Sequence, residues 1–486
     1  MDNLKAQGTK AFIWDFSGKL AMHGTGFIVT IFLARLLEPA EFGLVAMVMV
    51  IIGIAQIFTD VGLGSALIQR RRVLPVHYSS VFYFNIVIGS ILTLITFLSA
   101  PLIAGFYNNE QLIPLAQVMS IAFLINAFSS VQATKLRKEL NYQALTVANF
   151  TSSLLSGIVG VFMAFNGGGV WSLVALTLSR GVIFNIYVWI VAGWVPSLLF
   201  SFKALMQLWG FGFRMFLSGA LDAVFTRLDV IIIGKLFTPA VLGFFDRAKS
   251  LDQMIVYYSS GSLMSVLFPV LSKVQNDLSR FQSIIIKALG VISFVVFLLL
   301  GVMYLISEEL VVILFSEKWL PSAEYFKLLI LSGFAYPVSA LLVNVLSSRG
   351  NSKAFLRLEI YKKIVFGSNL AIAFMWGIEG YLYGLVLASI LAVYLNIIFA
   401  SVEIRLPKFS FVQPIIVQMT LALITVIGVK ELCLGLEYSN IIMLLLKASV
   451  FTILYILASR IFGTSSYKNF VEQILPVIQQ IRRKLA

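Results

Sequence analysis

Apolar runs of about 18 to 25 residues follow one another along nearly the whole chain, and the short stretches between them hold most of the charge. Runs of that length cross a hydrocarbon core about 30 Å thick as helices, whose backbone groups bond within the segment. The ten-residue alternating segments of a membrane barrel are absent from the pattern. Spans are predicted over about 12–35, 43–68, 78–106, 112–134, 143–165 and 170–193, then 207–235, 249–271, 282–306, 322–346, 361–378 and 380–402. Two more fall near 413–430 and 441–460, so the expectation is an all-α polytopic membrane protein of about fourteen helices with both termini on one side.

A repeat organises these spans. The stretch Arg35-Leu36-Leu37-Glu38-Pro39-Ala40-Glu41-Phe42-Gly43 returns about 200 residues later as Lys235-Leu236-Phe237-Thr238-Pro239-Ala240-Val241-Leu242-Gly243. Pro halts one helix and Gly frees the backbone before the next, as a short turn between two membrane helices requires. A slightly larger offset aligns Gly169 with Gly380, Asn185 with Asn396 and Pro196 with Pro407. An even number of spans per copy makes the repeat parallel, about an axis along the membrane normal. The expected organisation is a six-helix lobe over 1–200, a second over 201–410, and two further helices with a basic amphipathic tail over 411–486.

Composition agrees, with 59% hydrophobic and 12% charged residues, against about 25% charged in an ordinary soluble domain. A net charge of +14 would suggest nucleic acid in a soluble protein, but here most of the excess lies in loops. With the N-terminus cytoplasmic, inside loops carry roughly 23 Lys and Arg against about 7 outside, which sets the topology and leaves no case for a nucleic-acid partner. Residues 1–11 carry Lys5 and Lys10 ahead of the first span, but that span contains Lys19 and has no small-residue cleavage site, so an uncleaved first helix is expected. Inside stretches 136–142, 272–281, 355–363 and 466–486 mix charge with apolar residues and read as amphipathic elbows. One cysteine and two histidines leave little for a zinc site, and no phosphate-binding loop occurs, so neither metal nor cofactor is expected.

Charge inside the spans is the candidate chemistry, because each such group costs about 2.5–3.5 kcal/mol at the bilayer centre and must face a partner or a polar cavity. Lys19 and Asp60 lie at similar depth in the first two spans and form either an ion pair or part of a cavity. Arg180 sits mid-span in the sixth. The seventh carries Arg214, Asp222, Arg227 and Asp229. At about 100° per residue, Asp222 and Asp229 fall roughly 80° and 60° from Arg214, on one face, whereas Arg227 points away and needs its own partner. Lys287 and Lys447 lie near span ends and are expected to snorkel without further role.

The Arg-Leu-Leu-x-Pro-x-Glu-Phe-Gly turn at 35–43, the run Leu228-Asp229-Val230-Ile231-Ile232-Ile233-Gly234 and the stretch Leu242-Gly243-Phe244-Phe245-Asp246-Arg247-Ala248 resemble the polysaccharide transporter family. That family includes the Wzx-type flippases of the multidrug/oligosaccharidyl-lipid/polysaccharide exporter superfamily, and the resemblance covers essentially the whole chain. It implies a flippase, not an enzyme, in the bacterial inner membrane. Such a protein carries polyprenyl-pyrophosphate-linked oligosaccharides to the periplasmic leaflet for O-antigen, capsule or colanic-acid-like polysaccharide. Glycosyltransferases and a polymerase are the implied partners. On that resemblance Lys19, Arg180, Arg214 and Arg227 contact the headgroup, while Asp60, Asp222 and Asp229 are counter-ions or couple a cation. Two rivals stay open. A membrane polymerase or ligase predicts a sizeable outside loop, and the longest here is about 15 residues. A cation-coupled small-molecule exporter predicts acidic cavity charges.

Overall fold

The computed structural model describes the backbone of residues 2–473, while the side chains of residues 2–13, 15, 16, 19, 218, 221, 222, 255–269 and 373 lie outside the described ones. The described chain consists of helices and the turns and loops that join them, and divides into two compact units, 1–246 and 247–486.

The first unit holds α1 (Asp2–Leu36), α2 (Pro39–Ala55), α3 (Ile57–Asp60), α4 (Leu63–Gln69), α5 (Pro75–Leu98), α6 (Ala100–Tyr107), α7 (Leu112–Met119), α8 (Ile121–Lys138), α9 (Tyr142–Phe165) and α10 (Val170–Ala192), followed by α11 (Phe202–Phe225) and α12 (Leu228–Leu236). α13 (Pro239–Lys273) runs into the second unit, which continues with α14 (Leu278–Leu305), α15 (Ser307–Phe315), α16 (Leu320–Gly333), α17 (Ala335–Ser348), α18 (Ser352–Ile404), α19 (Lys408–Leu432) and α20 (Asn440–Ile461).

Among the described residues ten helical segments are long and apolar enough to cross a membrane, which makes this a multi-pass membrane protein. They cover ten of the expected spans. The first span has a described apolar stretch of only 17 residues, Leu20–Leu36. The seventh is interrupted between α11 and α12 at Arg227, where φ is −117° and ψ 0°. The expected boundary between 378 and 380 is a kink inside α18, at Trp376 and Gly377.

Proline at the first helical position starts α2 and α5, where its missing N–H costs nothing. In the first copy of the repeated turn the Glu41 carboxylate reaches back to the Glu38 N–H at 2.8 Å. In the second the Thr238 hydroxyl faces the Val241 N–H at 3.4 Å, so the first copy forms a reciprocal capping box and the second keeps one half of it. The two copies also touch. A Cβ on Gly43 would overlap the Pro239 carbonyl, and one on Gly243 would overlap the Pro39 carbonyl, so only glycine lets the turns meet.

The expected cytoplasmic elbows are helix ends and turns, because their charges stay in register with the spans they follow. Stretch 136–142 ends α8 through left-handed Leu140 and starts α9 under the Asn141 side chain, which accepts from the Ala144 N–H at 3.1 Å. Stretch 272–281 ends α13 and caps α14 through Asp277, whose carboxylate accepts from the Arg280 N–H at 3.0 Å. Stretch 355–363 lies inside α18.

Candidate functional site

The intramembrane charge of the first unit gathers where the second span, bent over α2, α3 and α4, runs antiparallel to α11 and α12. Beyond the paired turns, contact recurs at three further levels. The Arg227 guanidinium lies over Gly53, where any Cβ would overlap it, and its Nη1 donates to the Met49 carbonyl at 3.4 Å. Deeper along, Gly62 at φ 72° brings the bend of the second span against the backbone of Gly212. At the far end Arg70 Nη2 donates to Gln207 Oε1 at 2.6 Å. Small residues at such crossings let backbones approach where no hydrophobic force separates lipid from helix.

Asp60 sits at the bend. Its carboxylate accepts the Gly64 N–H at 3.1 and 3.0 Å, capping the start of α4. The Asn85 amide and the Ser130 hydroxyl each lie 3.4 Å from Oδ1. The Asn85 amide satisfies more partners when turned over. Its NH₂ then donates to the carbonyls of Thr59 (3.2 Å) and Val81 (3.3 Å), and its oxygen accepts from Ser130 (3.2 Å). Gln56 and Asn126 extend the cluster, joined at 3.0 Å.

Arg180 is half-buried midway along α10, and Arg214 is exposed on α11. Among the described residues neither side chain has a hydrogen-bonding or ion-pairing partner. Asp229 is half-buried at the start of α12, with Oδ1 accepting the Val230 N–H at 2.8 Å. The side chains of Lys19 and Asp222 lie outside the described residues. Geometry thus brings Arg227 to α2 and Asp60 to α5 and α8, and leaves Arg180 and Arg214 open.

Sequence reading missed Asn85, Ser130, Gln56 and Asn126, whose signal was an uncharged polar side chain inside an apolar run. It also assigned Lys447 to snorkelling. Lys447 instead pairs with buried Glu309 in the first turn of α15. Two open cavities flank α8, of about 420 Å³ and 520 Å³, and no charged residue lines either, so headgroup chemistry does not reside there.

The chain matches the family described as "Polysaccharide biosynthesis protein" over residues 32–324, a stretch that includes both copies of the turn. It is 24% identical to the lipopolysaccharide biosynthesis protein WzxC of Escherichia coli (strain K12), over 73% of this chain and 72% of that one. It is 26% identical to the teichuronic acid biosynthesis protein TuaB of Bacillus subtilis (strain 168), over 67% and 70%. Among solved structures it resembles the lipid II flippase MurJ in an inward closed conformation, with TM-score 0.70 and 14% identity over 93% of this chain and all of that one. A multidrug resistance MATE family transporter gives TM-score 0.62 at 16% identity, over 79% and 94%. These two likenesses show the shared fold. The match across both turns makes this chain a member of the polysaccharide biosynthesis protein family of Wzx-type transporters, and a transporter rather than an enzyme.

Proposed function

We propose that this transporter flips a polyprenyl-pyrophosphate-linked oligosaccharide from the cytoplasmic to the periplasmic leaflet of a bacterial inner membrane, by alternating access, for surface polysaccharide assembly. The observation that carries the reading is the pair of intramembrane cations, Arg180 and Arg214, without a polar partner among the described residues. An unpaired guanidinium in a span is costly, and a pyrophosphate supplies the anionic oxygens that offset its desolvation. Arg227, whose bond to the Met49 carbonyl does not cancel its charge, and Lys19 are the further headgroup contacts of this reading. The same charges disfavour a small-molecule exporter, for which acidic groups would be expected.

Asp60, Asp222 and Asp229 act as counter-ions or couple a cation. Asp60 is the member best placed for that role, because its carboxylate sits at the bend of the second span, where it caps α4 beside the Ser130 hydroxyl. The termini are cytoplasmic and the chain crosses fourteen times, as two parallel six-helix repeats over 1–200 and 201–410 with 411–486 appended. The shared cap at Asn141 and Asn351 supports that repeat, each side chain accepting from the N–H three residues on at 3.1 Å.

Deleting the gene from its host tests the reading. Flipping predicts loss of surface polysaccharide with lipid-linked units accumulating on the cytoplasmic leaflet. Single units already on the outer leaflet would point to polymerisation and refute it.

A further inference from the structure

The connection between α10 and α11 holds its backbone inward and its apolar side chains outward. Residues 193–201 are not helical, yet the Ser197 N–H donates to Ser79 Oγ at 3.0 Å and the Ser201 N–H to Ser80 Oγ at 2.9 Å, and both receiving serines are fully buried. Trp194 packs against Tyr78 and Phe82 with ring centroids 5.9 and 6.1 Å away. The loop is therefore fixed. Fixed in this way, it exposes Val195 (73%), Leu198 (96%), Leu199 (59%), Phe200 (56%) and Phe202 (68%). So dense an exposed apolar patch marks a contact surface.

A basic segment is stitched beside it. Gln207, one and a half turns into α11, accepts from Arg70 at 2.6 Å and lies 3.2 Å from His77 Nε2, while His77 Nδ1 accepts the Leu74 N–H at 3.1 Å. Those bonds hold exposed Arg71, Arg72 and Leu74 next to exposed Lys203. Residues 69–82 and 193–213 contain no acidic residue, and the nearby Glu139 lies 3.5 Å from Lys135, so the two segments form an apolar tip with a net cationic rim.

We propose that this surface is an interfacial platform seated in the cytoplasmic leaflet, with Leu198, Leu199 and Phe200 among the acyl chains and Arg70, Arg71, Arg72 and Lys203 on the headgroups of anionic phospholipid. Two features select lipid over a protein partner. The loop begins where α10 ends, and that helix exposes Ile186 (56%) and Ile190 (75%), so the apolar face is continuous with a membrane-spanning surface. The rim has the sign and position that anionic headgroups attract, worth about fivefold in membrane partitioning per basic residue. The platform rests on the cytoplasmic-termini orientation proposed above, but not on any transported substrate.

The test uses the full-length protein in nanodiscs, with Cys433 replaced (Cys433→Ser) and a nitroxide attached through Leu198→Cys, or through Leu199→Cys should the first variant fold poorly. Glu437→Cys, in the exposed loop between α19 and α20, supplies the water reference. In phosphatidylglycerol discs, collision of the label with a nickel chelate should fall at least fivefold below that reference, and oxygen collision should rise. In phosphatidylcholine discs, or with Arg70, Arg71, Arg72 and Lys203 all changed to Gln, much of that protection should vanish. Water-like accessibility in phosphatidylglycerol overturns the proposal. So does protection indifferent to headgroup and rim, or protection that arises only on adding cytosolic extract, which would mark a protein-docking surface. None of these readouts depends on transport, so the platform and the flippase reading fail separately.

Discussion

Several described cations of the first unit rest on backbone carbonyls, whereas several of the second pair with carboxylates. In the first unit Lys138 donates to the carbonyls of Leu67 and Arg70, both at 2.5 Å, Lys135 to that of Ala192 at 2.9 Å, Lys235 to that of Phe106, and Arg227 to that of Met49. In the second unit Arg349 pairs with Glu403 at 3.1 Å, Lys327 with Glu308 at 2.5 Å, and Lys447 with Glu309. A carbonyl satisfies an ammonium without cancelling its charge, whereas a carboxylate cancels it. Lysines on helix C-terminal carbonyls also meet the negative end of the helix dipole. The first unit therefore closes its helix ends and keeps its positive field, even with exposed Glu139 lying 3.5 Å from Lys135. That field is what an anionic headgroup requires.

Removing one partner from a buried ion pair strands the other, so Lys447→Met should lower stability by about 3–5 kcal/mol, and adding Glu309→Leu should restore much of it. Thermal unfolding in one detergent checks both, and additive losses would break the contrast. Lys138→Met should cost less, about 2 kcal/mol, because the freed carbonyls can take water. No second substitution should rescue it, and a compensating carboxylate change that did so would remove the distinction between the units.

The turns beneath these fastenings are alike. Asn141 N–H bonds the Leu136 carbonyl at 2.9 Å and Asn351 N–H the Leu346 carbonyl at 3.0 Å, which is the same left-handed helix ending. The left-handed residue is Leu140 (φ 56°) in one and Gly350 (φ 76°) in the other. Leu140→Gly should therefore be neutral to stabilising by up to about 1 kcal/mol, and Gly350→Leu destabilising by about 1–2 kcal/mol. Equal losses in both would show that the turns differ after all.

The smallest expected effect is a pH dependence. The hydrogen bond from Lys327 holds the Glu308 carboxyl below the usual carboxylate range. A depressed folded value stabilises above the ordinary carboxylate range and loses that contribution as pH falls through the folded value. The melting-temperature gap between wild type and Glu308→Gln should thus be present at pH 7 and shrink toward pH 3.5. A gap that widened on acidification would reverse the assignment.

Spans and repeated turns were legible because apolar length and Pro-x-x-x-Gly spacing are local properties. The buried charges were legible as residues but not as contacts. Asp60 meets Asn85 and Ser130 from helices 25 and 70 positions along the chain, and Lys447 meets Glu309 across 138. Periodicity carries no information on such distant pairings. The packing of α11 and α12 with the first unit, although they lie beyond residue 200, was hidden for the same reason: crossings such as Gly62 on Gly212 depend on two sites at once. The bend at Asp60 was legible only as a charge, because its cause is the left-handed pair Val61 and Gly62.

On the proposed function, the cations of the first unit that have no polar partner among the described residues, Arg180 and Arg214, move a pyrophosphate-linked glycan. Purified protein in proteoliposomes holding a fluorescent polyprenyl-pyrophosphate saccharide allows a direct measurement: the fraction of sugar that a membrane-impermeant quencher reaches over time. Wild type should expose the inner-leaflet pool. An Arg180→Ala, Arg214→Ala double variant of equal abundance and unchanged melting temperature should lose at least tenfold in rate, while Lys138→Met, compared at matched folded protein, should keep it. A double variant that flips at the wild-type rate would contradict the account.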